Sequence, residues 1–322
     1  MNGARPIRKA AVLGAGVMGA QIAAHLANAE IQVLLFELPD PEGNDPNAPA
    51  RRAVEQLEKL DPQPLASPSR LGLIKPVNYQ QHLEELRDCQ LVIEAIAERL
   101  DLKTGLFSRI APFVGEQALL TSNTSGLSIA ELSRALPEGL RSRFCGMHFF
   151  NPPRYMQLVE LIAAPQTHRR VLDRLETFLV SRLGKGVVRA KDTPNFIANR
   201  VGVFSLTATL IHAQRLGLNP ETVDALTGPL IQRPKSATYR TADVVGLDTL
   251  AHVVEGAREW LKDDPWRDCL ILPDWLRGLV ERGALGQKRG EGVYRKKGKE
   301  IAVWDPAQDC YRPVESQVDK DV

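Results

Sequence analysis

The chain has 322 residues, 25% of them charged, and a formal net charge of only +2. That length accommodates one large or two ordinary domains, each with its own core, and the near-neutral balance gives no electrostatic reason to expect nucleic acid or a membrane surface as partner. Cys89, Cys145, Cys269 and Cys310 form no CxxC or Cys/His ligand pattern and the histidines show no metal spacing, so reduced thiols, a cytoplasmic location and no metal are expected.

The basic segment Met1–Lys9 leads into an apolar run broken by Gly14 and Gly16, which reads as a strand rather than a signal peptide. No run approaches the ~18 apolar residues of a membrane span. The first strand, Ala10–Leu13, is followed by Gly14-Ala15-Gly16-Val17-Met18-Gly19 at the start of a helix predicted over Val17–Asn28. Glycines at that spacing let the chain turn tightly and let its backbone approach a pyrophosphate on the helix N-terminus. The second strand, Gln32–Glu37, ends in an acid about twenty residues beyond the glycines, where a carboxylate bonds ribose hydroxyls. Strand, glycines, helix and acid in that order point to a dinucleotide site rather than an ordinary glycine turn. Glu37 favours NAD over NADP, because an acid repels a 2′-phosphate and no arginine immediately follows it.

Residues 39–76 are rich in proline and read as a surface excursion around one helix, Ala50–Leu60. Strands at Leu91–Ile96 and Ala118–Ser122 alternate with helices at Leu100–Val114 and Ser128–Leu136, the pattern of a parallel sheet built from βαβ units. Two strand-like runs come next, Arg143–Phe150 and Met156–Ala163, joined by the turn Asn151-Pro152-Pro153-Arg154-Tyr155. Glu160 is an acid inside an apolar run, and burial of an unpaired charge costs several kcal/mol, roughly. It therefore needs a partner. Folding the runs back symmetrically about Arg154 sets His148 directly opposite it. A histidine held by a buried carboxylate makes a general base near neutral pH; a satisfied core ion pair is the alternative on these residues alone.

A helix over Thr167–Leu183, capped at Gly184, and a strand at Gly186–Ala190 complete this half. From Thr193 the pattern becomes helical, with segments Phe196–Leu216, Pro220–Leu226, Leu247–Leu261 and Pro273–Glu281. The expected architecture is α/β: a Rossmann-type doubly wound sheet domain over 1–191, then an all-α C-terminal domain over 192–295. Residues 296–322, and the last eight above all, read as a tail or linker.

Several blocks together resemble the L-3-hydroxyacyl-CoA dehydrogenase family, over Arg8 to about Tyr294. They are Gly14–Gly19, Ile93-Glu-Ala-Ile-Ala-Glu98 with Lys103, Ser122-Asn-Thr-Ser125, His148-Phe-Phe-Asn-Pro152, Lys191-Asp-Thr-Pro194 with Asn199-Arg200, Gly246-Leu-Asp-Thr249 and Gly290-Glu-Gly-Val-Tyr294. The resemblance implies oxidation of L-3-hydroxyacyl-CoA to 3-oxoacyl-CoA with NAD, with His148 as base and Glu160 as its orienter. Ser125 would bond the substrate oxygen and Asn199 the substrate carbonyl. Ala95, Glu98, Lys103, Asn123, Ser125 and Asn151 would line the dinucleotide, with Lys288 reaching it from the helical domain. A homodimer is implied, and Arg233–Asp243 is closest to the N-terminal module of long bacterial chains that carry an enoyl-CoA hydratase domain downstream.

The chain departs from the family pattern at Asn195, where the family usually has glycine; asparagine tolerates left-handed backbone better than most residues. The excursion lacks an obvious match to the arm that contacts coenzyme A, although Arg51, Arg52 and Lys59 are candidates by charge. Two other readings stay open. Other two-domain β-hydroxyacid dehydrogenases generally use a lysine base on the long helix, and Phe196–Leu216 has none. A crystallin-like or sensory protein on the same scaffold would have no need of the catalytic set.

Overall fold

The computed structural model describes residues 6–41, 43–298 and 300–314, and Glu315–Val322 lie outside them. The chain divides into two compact units, Met1–Ile197 and Ala198–Val322.

In chain order the first unit contains β1 (Lys9–Leu13), α1 (Val17–Asn28), β2 (Gln32–Glu37), α2 (Ala48–Gln56), β3 (Ile74–Asn78), β4 (Leu91–Glu94) and α3 (Leu100–Ile110). After these come β5 (Leu119–Ser122), α4 (Ile129–Arg134), α5 (Glu138–Arg141), β6 (Phe144–Phe149), β7 (Leu158–Ala163), α6 (Arg169–Leu183) and β8 (Gly186–Ala190). The strands form one sheet in the order β3-β2-β1-β4-β5-β6-β7-β8, with all neighbours parallel except β6 and β7. Side chains alternate across it: Ala10 and Val12 of β1 join a core with α1 and α6, while Ala11 and Leu13 join another with α3 and α4. Both faces are thus covered, which is why the inner strands are almost wholly apolar.

Two departures from the sequence reading have local causes. β3 was hidden by Pro76, which removes a ladder donor; the strand lies at the sheet edge and pairs only with β2, so no second ladder needs that N–H. β4 stops at Glu94 rather than Ile96 because the Ile96 N–H turns to the Glu94 carboxylate, 2.7 Å away. The strand order reverses between β1 and β4. Their C-terminal ends therefore open a crevice, the place where doubly wound sheets take ligands.

The second unit packs α7 (Ala198–Arg215), α8 (Pro220–Thr227), α9 (Tyr239–Val245), α10 (Leu247–Trp260) and α11 (Asp274–Glu281) around Leu210, Leu250, Val254 and Leu276. To these helices it adds an antiparallel sheet of β9 (Tyr294–Lys297), β10 (Glu300–Asp305) and β11 (Cys310–Pro313). Residues 296–298 and 300–313 are therefore not the expected tail or linker: Val303 and Trp304 are buried in the helical core. The strands are short, and the single buried pair, on β10, leaves little periodicity to read.

His25 lies on the buried face of α1, where burial and the Lys185 ammonium push its pKa down to about 4 from 6.5. The unfolded chain takes up this proton near pH 6.5 and the folded chain only near 4. Its contribution to stability is therefore intact above pH 6.5 and lost as the pH falls toward 4. Urea unfolding at pH 7 and 4.5 should show His25→Leu losing about 2–3 kcal/mol less than the wild type over that interval. Equal losses would remove His25 from the acid limb.

Candidate active site

The loop after β1 is shaped by two glycines of one kind and one of another. Gly14 has φ +106, and a Cβ there would stand 2.8 Å from the Ala95 carbonyl oxygen; a Cβ on Gly19 would collide with the Gly14 carbonyl. Both are required for the loop to pack against the end of β4. Gly16, the N-cap of α1, has ordinary extended backbone (φ −67, ψ −174), and a Cβ on it would meet no protein atom within 4 Å. The fold does not need a glycine at 16. Its bare face is exposed beside uncapped first-turn N–H groups, and exposed Val17 and half-buried Met18 follow. Such a surface fits a dinucleotide pyrophosphate. Glu37 stands at the rim, accepting from the Ala15 N–H at 2.8 Å and the Leu38 N–H at 2.8 Å.

Beneath the crevice lies a buried charge cluster. Glu94 is fully enclosed and accepts from Lys103 Nζ at 2.6 Å, Ser122 Oγ at 2.5 Å and the Ile96 N–H at 2.7 Å. Lys103 is only 1% exposed and also meets Glu98 at 3.3 Å. Its ammonium is thus engaged by two carboxylates within the protein. Glu98 is the exposed end of the cluster, and one of its oxygens accepts from Thr124 Oγ1 at 2.5 Å, the Ser125 N–H at 2.8 Å and the Gly126 N–H at 3.1 Å. Burial opposes ionisation of Glu98, but Lys103 and these donors outweigh it and hold the carboxyl below its usual value. Glu98 thus fixes the loop that presents Ser125, whose side chain is exposed.

β6 and β7 pair in the register His148↔Glu160, the symmetric fold about Arg154. His148 Nδ1 lies 2.8 Å from Glu160 Oε2, with the carboxylate 0% and the imidazole 3% exposed. The other carboxylate oxygen accepts the Ile197 N–H at 2.9 Å. Phe150 and Phe196 flank the imidazole, with ring centroids 4.4 and 5.8 Å from it. The segment that brings Phe196 and Ile197 here is left-handed at Asn195 (φ 61) and Phe196 (φ 48), the geometry expected at a position where asparagine replaces glycine. Lys185, buried, donates to the carbonyls of Pro153 and Met156 and so clamps both limbs of the turn.

The remaining predicted residues fall in separate places. Asn123 accepts the Phe149 N–H at 2.9 Å, bridging the ends of β5 and β6, and exposed Asn151 accepts from Gln21 of α1 at 3.3 Å. Ala95 backs Gly14. Asn199 is half-buried in the first turn of α7, and exposed Lys288 pairs with Asp248 at 2.6 Å, both in the second unit. Arg51 is tied to Asp45 at 2.7 Å. Among the described residues no group of His, Cys, Asp and Glu could hold a metal ion. Sequence reasoning passed over Glu94 as a functional acid, although an acid ending the apolar run Leu91-Val92-Ile93 carries the same signal as Glu160. The Ile197 N–H left no signal at all, since any residue supplies one.

Residues 9–193 match the family described as 3-hydroxyacyl-CoA dehydrogenase, NAD binding domain, and residues 196–296 match its C-terminal domain. A probable 3-hydroxyacyl-CoA dehydrogenase of Bacillus subtilis is 40% identical over 95% of this chain, which spans only 40% of that relative's length. A Deinococcus radiodurans protein of the same description is 42% identical, covering 92% of this chain and 85% of the relative. The crystal structure of (S)-3-hydroxybutyryl-CoA dehydrogenase from Ralstonia eutropha is 30% identical, with TM-score 0.76, over 91% of this chain and all of that one. No helix among the described residues is long and apolar enough to cross a membrane.

Gly16 and Gly14 separate ligand from fold. Gly16→Ala should keep the wild-type melting temperature while weakening NADH, followed by fluorescence titration, at least tenfold. Gly14→Ala should lower the melting temperature. Unchanged NADH affinity in Gly16→Ala would move the pyrophosphate away from this loop.

Proposed function

The chain belongs to the 3-hydroxyacyl-CoA dehydrogenase family, and from that premise we propose that it interconverts L-3-hydroxyacyl-CoA and 3-oxoacyl-CoA with NAD. The observation that carries this reading is the His148–Glu160 contact at the C-terminal end of β6, with the Ser125 loop following the neighbouring strand. A carboxylate on Nδ1 keeps the proton there, leaving Nε2 as the acceptor. In the oxidation direction Nε2 takes the proton of the substrate 3-hydroxyl. Glu160 stabilises the resulting imidazolium, and its second oxygen, fixed by the Ile197 N–H, cannot swing away to be protonated.

Ser125 Oγ would hold the reacting oxygen, and Glu98 would keep that loop in place. Gly14–Gly19, Glu37, Ala95, Glu98, Asn123 and Asn151 would hold the dinucleotide. When bound, nicotinamide supplies the two-electron redox chemistry; the chain supplies alignment and the base. The phenyl rings of Phe150 and Phe196 keep water from the imidazole and strengthen its interaction with Glu160.

A cytoplasmic setting is part of the proposal, supported by four free cysteines, two of them buried. So is a homodimer, supported by the apolar side chains of Leu216, Leu230 and Trp260 exposed on the second unit.

With acetoacetyl-CoA and NADH, His148→Gln should lower kcat on the order of 10²–10⁴-fold, and Glu160→Gln by a comparable factor, with little change in NADH affinity. Wild-type turnover in either variant would dismiss the base and its orienter.

A further inference from the structure

The second unit contains a pocket of about 650 Å³ lined by four cationic side chains, Lys235, Arg240, Arg295 and Lys296, and a single carboxylate, Asp243. The carboxylate is already engaged: its two oxygens accept the N–H groups of Val293 and Tyr294, each at 2.8 Å. Arg295 reaches Glu291 only at 3.9 Å, and among the described residues Lys235, Arg240 and Lys296 form no salt bridge. Several arginines elsewhere are matched by acids, Arg189 by Asp173 and Glu176, Arg282 by Asp309, Arg312 by Glu221 and Asp305. Here positive charge converges unanswered.

A cluster of lysines and arginines is ordinarily a solvated face, with long side chains free to splay apart. Two of these four are not free. The Arg240 guanidinium lies 4.1 Å from the centroid of the Tyr294 ring, and that of Arg295 lies 4.0 Å from the Tyr311 ring. Both rings are themselves fixed, Tyr294 by its hydroxyl on Asp224 at 2.8 Å and Tyr311 by its hydroxyl on the Gly292 carbonyl at 2.6 Å. The Arg240 N–H is held by the same Asp224 at 3.1 Å. A guanidinium stacked by its face keeps its edge donors available, already oriented, and loses little entropy on binding an anion. Val244 and Ile301 add apolar wall, so the pocket suits a ligand with both a strongly charged and an apolar part.

We propose that this pocket binds a pyrophosphate-bearing ligand. Two preset guanidinium edges and two ammonium groups without a salt bridge match an anion of several negative charges, more than one carboxylate supplies. Its volume exceeds that of inorganic phosphate and suits a nucleotide. Pyrophosphate esters of that size come from two sources, a free nucleoside diphosphate or the adenosine end of coenzyme A. All its lining residues belong to the second unit, whereas the glycine loop and His148 belong to the first.

The test is isothermal titration of the full chain, in low-phosphate buffer, with inorganic pyrophosphate, ADP and coenzyme A in turn, for the wild type, Lys235→Gln/Lys296→Gln and Arg240→Gln. Saturable binding of pyrophosphate that weakens tenfold or more in both variants is expected. ADP binding more tightly than pyrophosphate, and losing that advantage in the variants, would identify a nucleotide source. A second, variant-sensitive component in the coenzyme A isotherm would identify the substrate's own adenosine end. No saturable heat from any of the three at millimolar concentration overturns the proposal, and so does binding that neither variant weakens.

Discussion

A carboxylate enclosed by protein must find donors for both its oxygens, and Glu160 organises the catalytic end of the first unit around that requirement. One oxygen takes His148 Nδ1 from β6, and the other takes the Ile197 N–H from the segment that follows β8. Three stretches far apart in sequence converge on one side chain. Removing His148 would break a buried pair, at a cost of about 3–5 kcal/mol. The same arrangement that makes imidazole a base also fixes the register of the one antiparallel pair in the sheet, since slipping by one residue would turn Glu160 to the opposite face.

Glu94 repeats the device at the end of β4. It gathers Lys103, Ser122 Oγ and the Ile96 N–H, and through Lys103 it joins Glu98, which in turn holds the Ser125 loop. The charges are graded from enclosed to exposed: Glu94 and Lys103 inside, Glu98 at the surface. An isolated Lys–Glu pair in a core is a poor source of stability, and an apolar pair of the same size would serve as well or better. The value of this one lies in direction. It sets a loop beside the nucleotide crevice with hydrogen bonds, which tolerate far less displacement than apolar contacts do.

The parts of the fold that were legible in the sequence follow from strong local rules. The glycine spacing, the strand after it and the acid ending β2 leave few alternatives, and the His148–Glu160 register followed from the turn's symmetry and the cost of burying an unpaired acid. The illegible parts are those where tertiary context overrides composition. Pro76 argues against a strand unless the strand is known to be an edge. Lys103, in a helix beginning Leu100-Asp101-Leu102, looks like a surface lysine; nothing local says that Glu94 waits beneath it. The β9–β11 strands mix charged and apolar residues with little alternation, leaving Val303 and Trp304 alone to show that the sheet packs on a core.

Asn195 and Phe196 show which of two demands prevails where fold and site conflict. Consecutive non-glycine residues at φ 61 and 48 cost on the order of 1–3 kcal/mol each, more for a bulky phenylalanine than for asparagine. A relaxed, extended path over the same residues would avoid that cost. It would also withdraw the Phe196 ring from His148 and the Ile197 N–H from Glu160, opening the imidazole to water and removing one donor from the buried carboxylate. Losing a donor to a buried carboxylate costs about 1–3 kcal/mol or more, the same order as the backbone strain. The contacts with Glu160 and His148 thus offset the strain of the left-handed turn, and the acid the segment completes helps to hold it there.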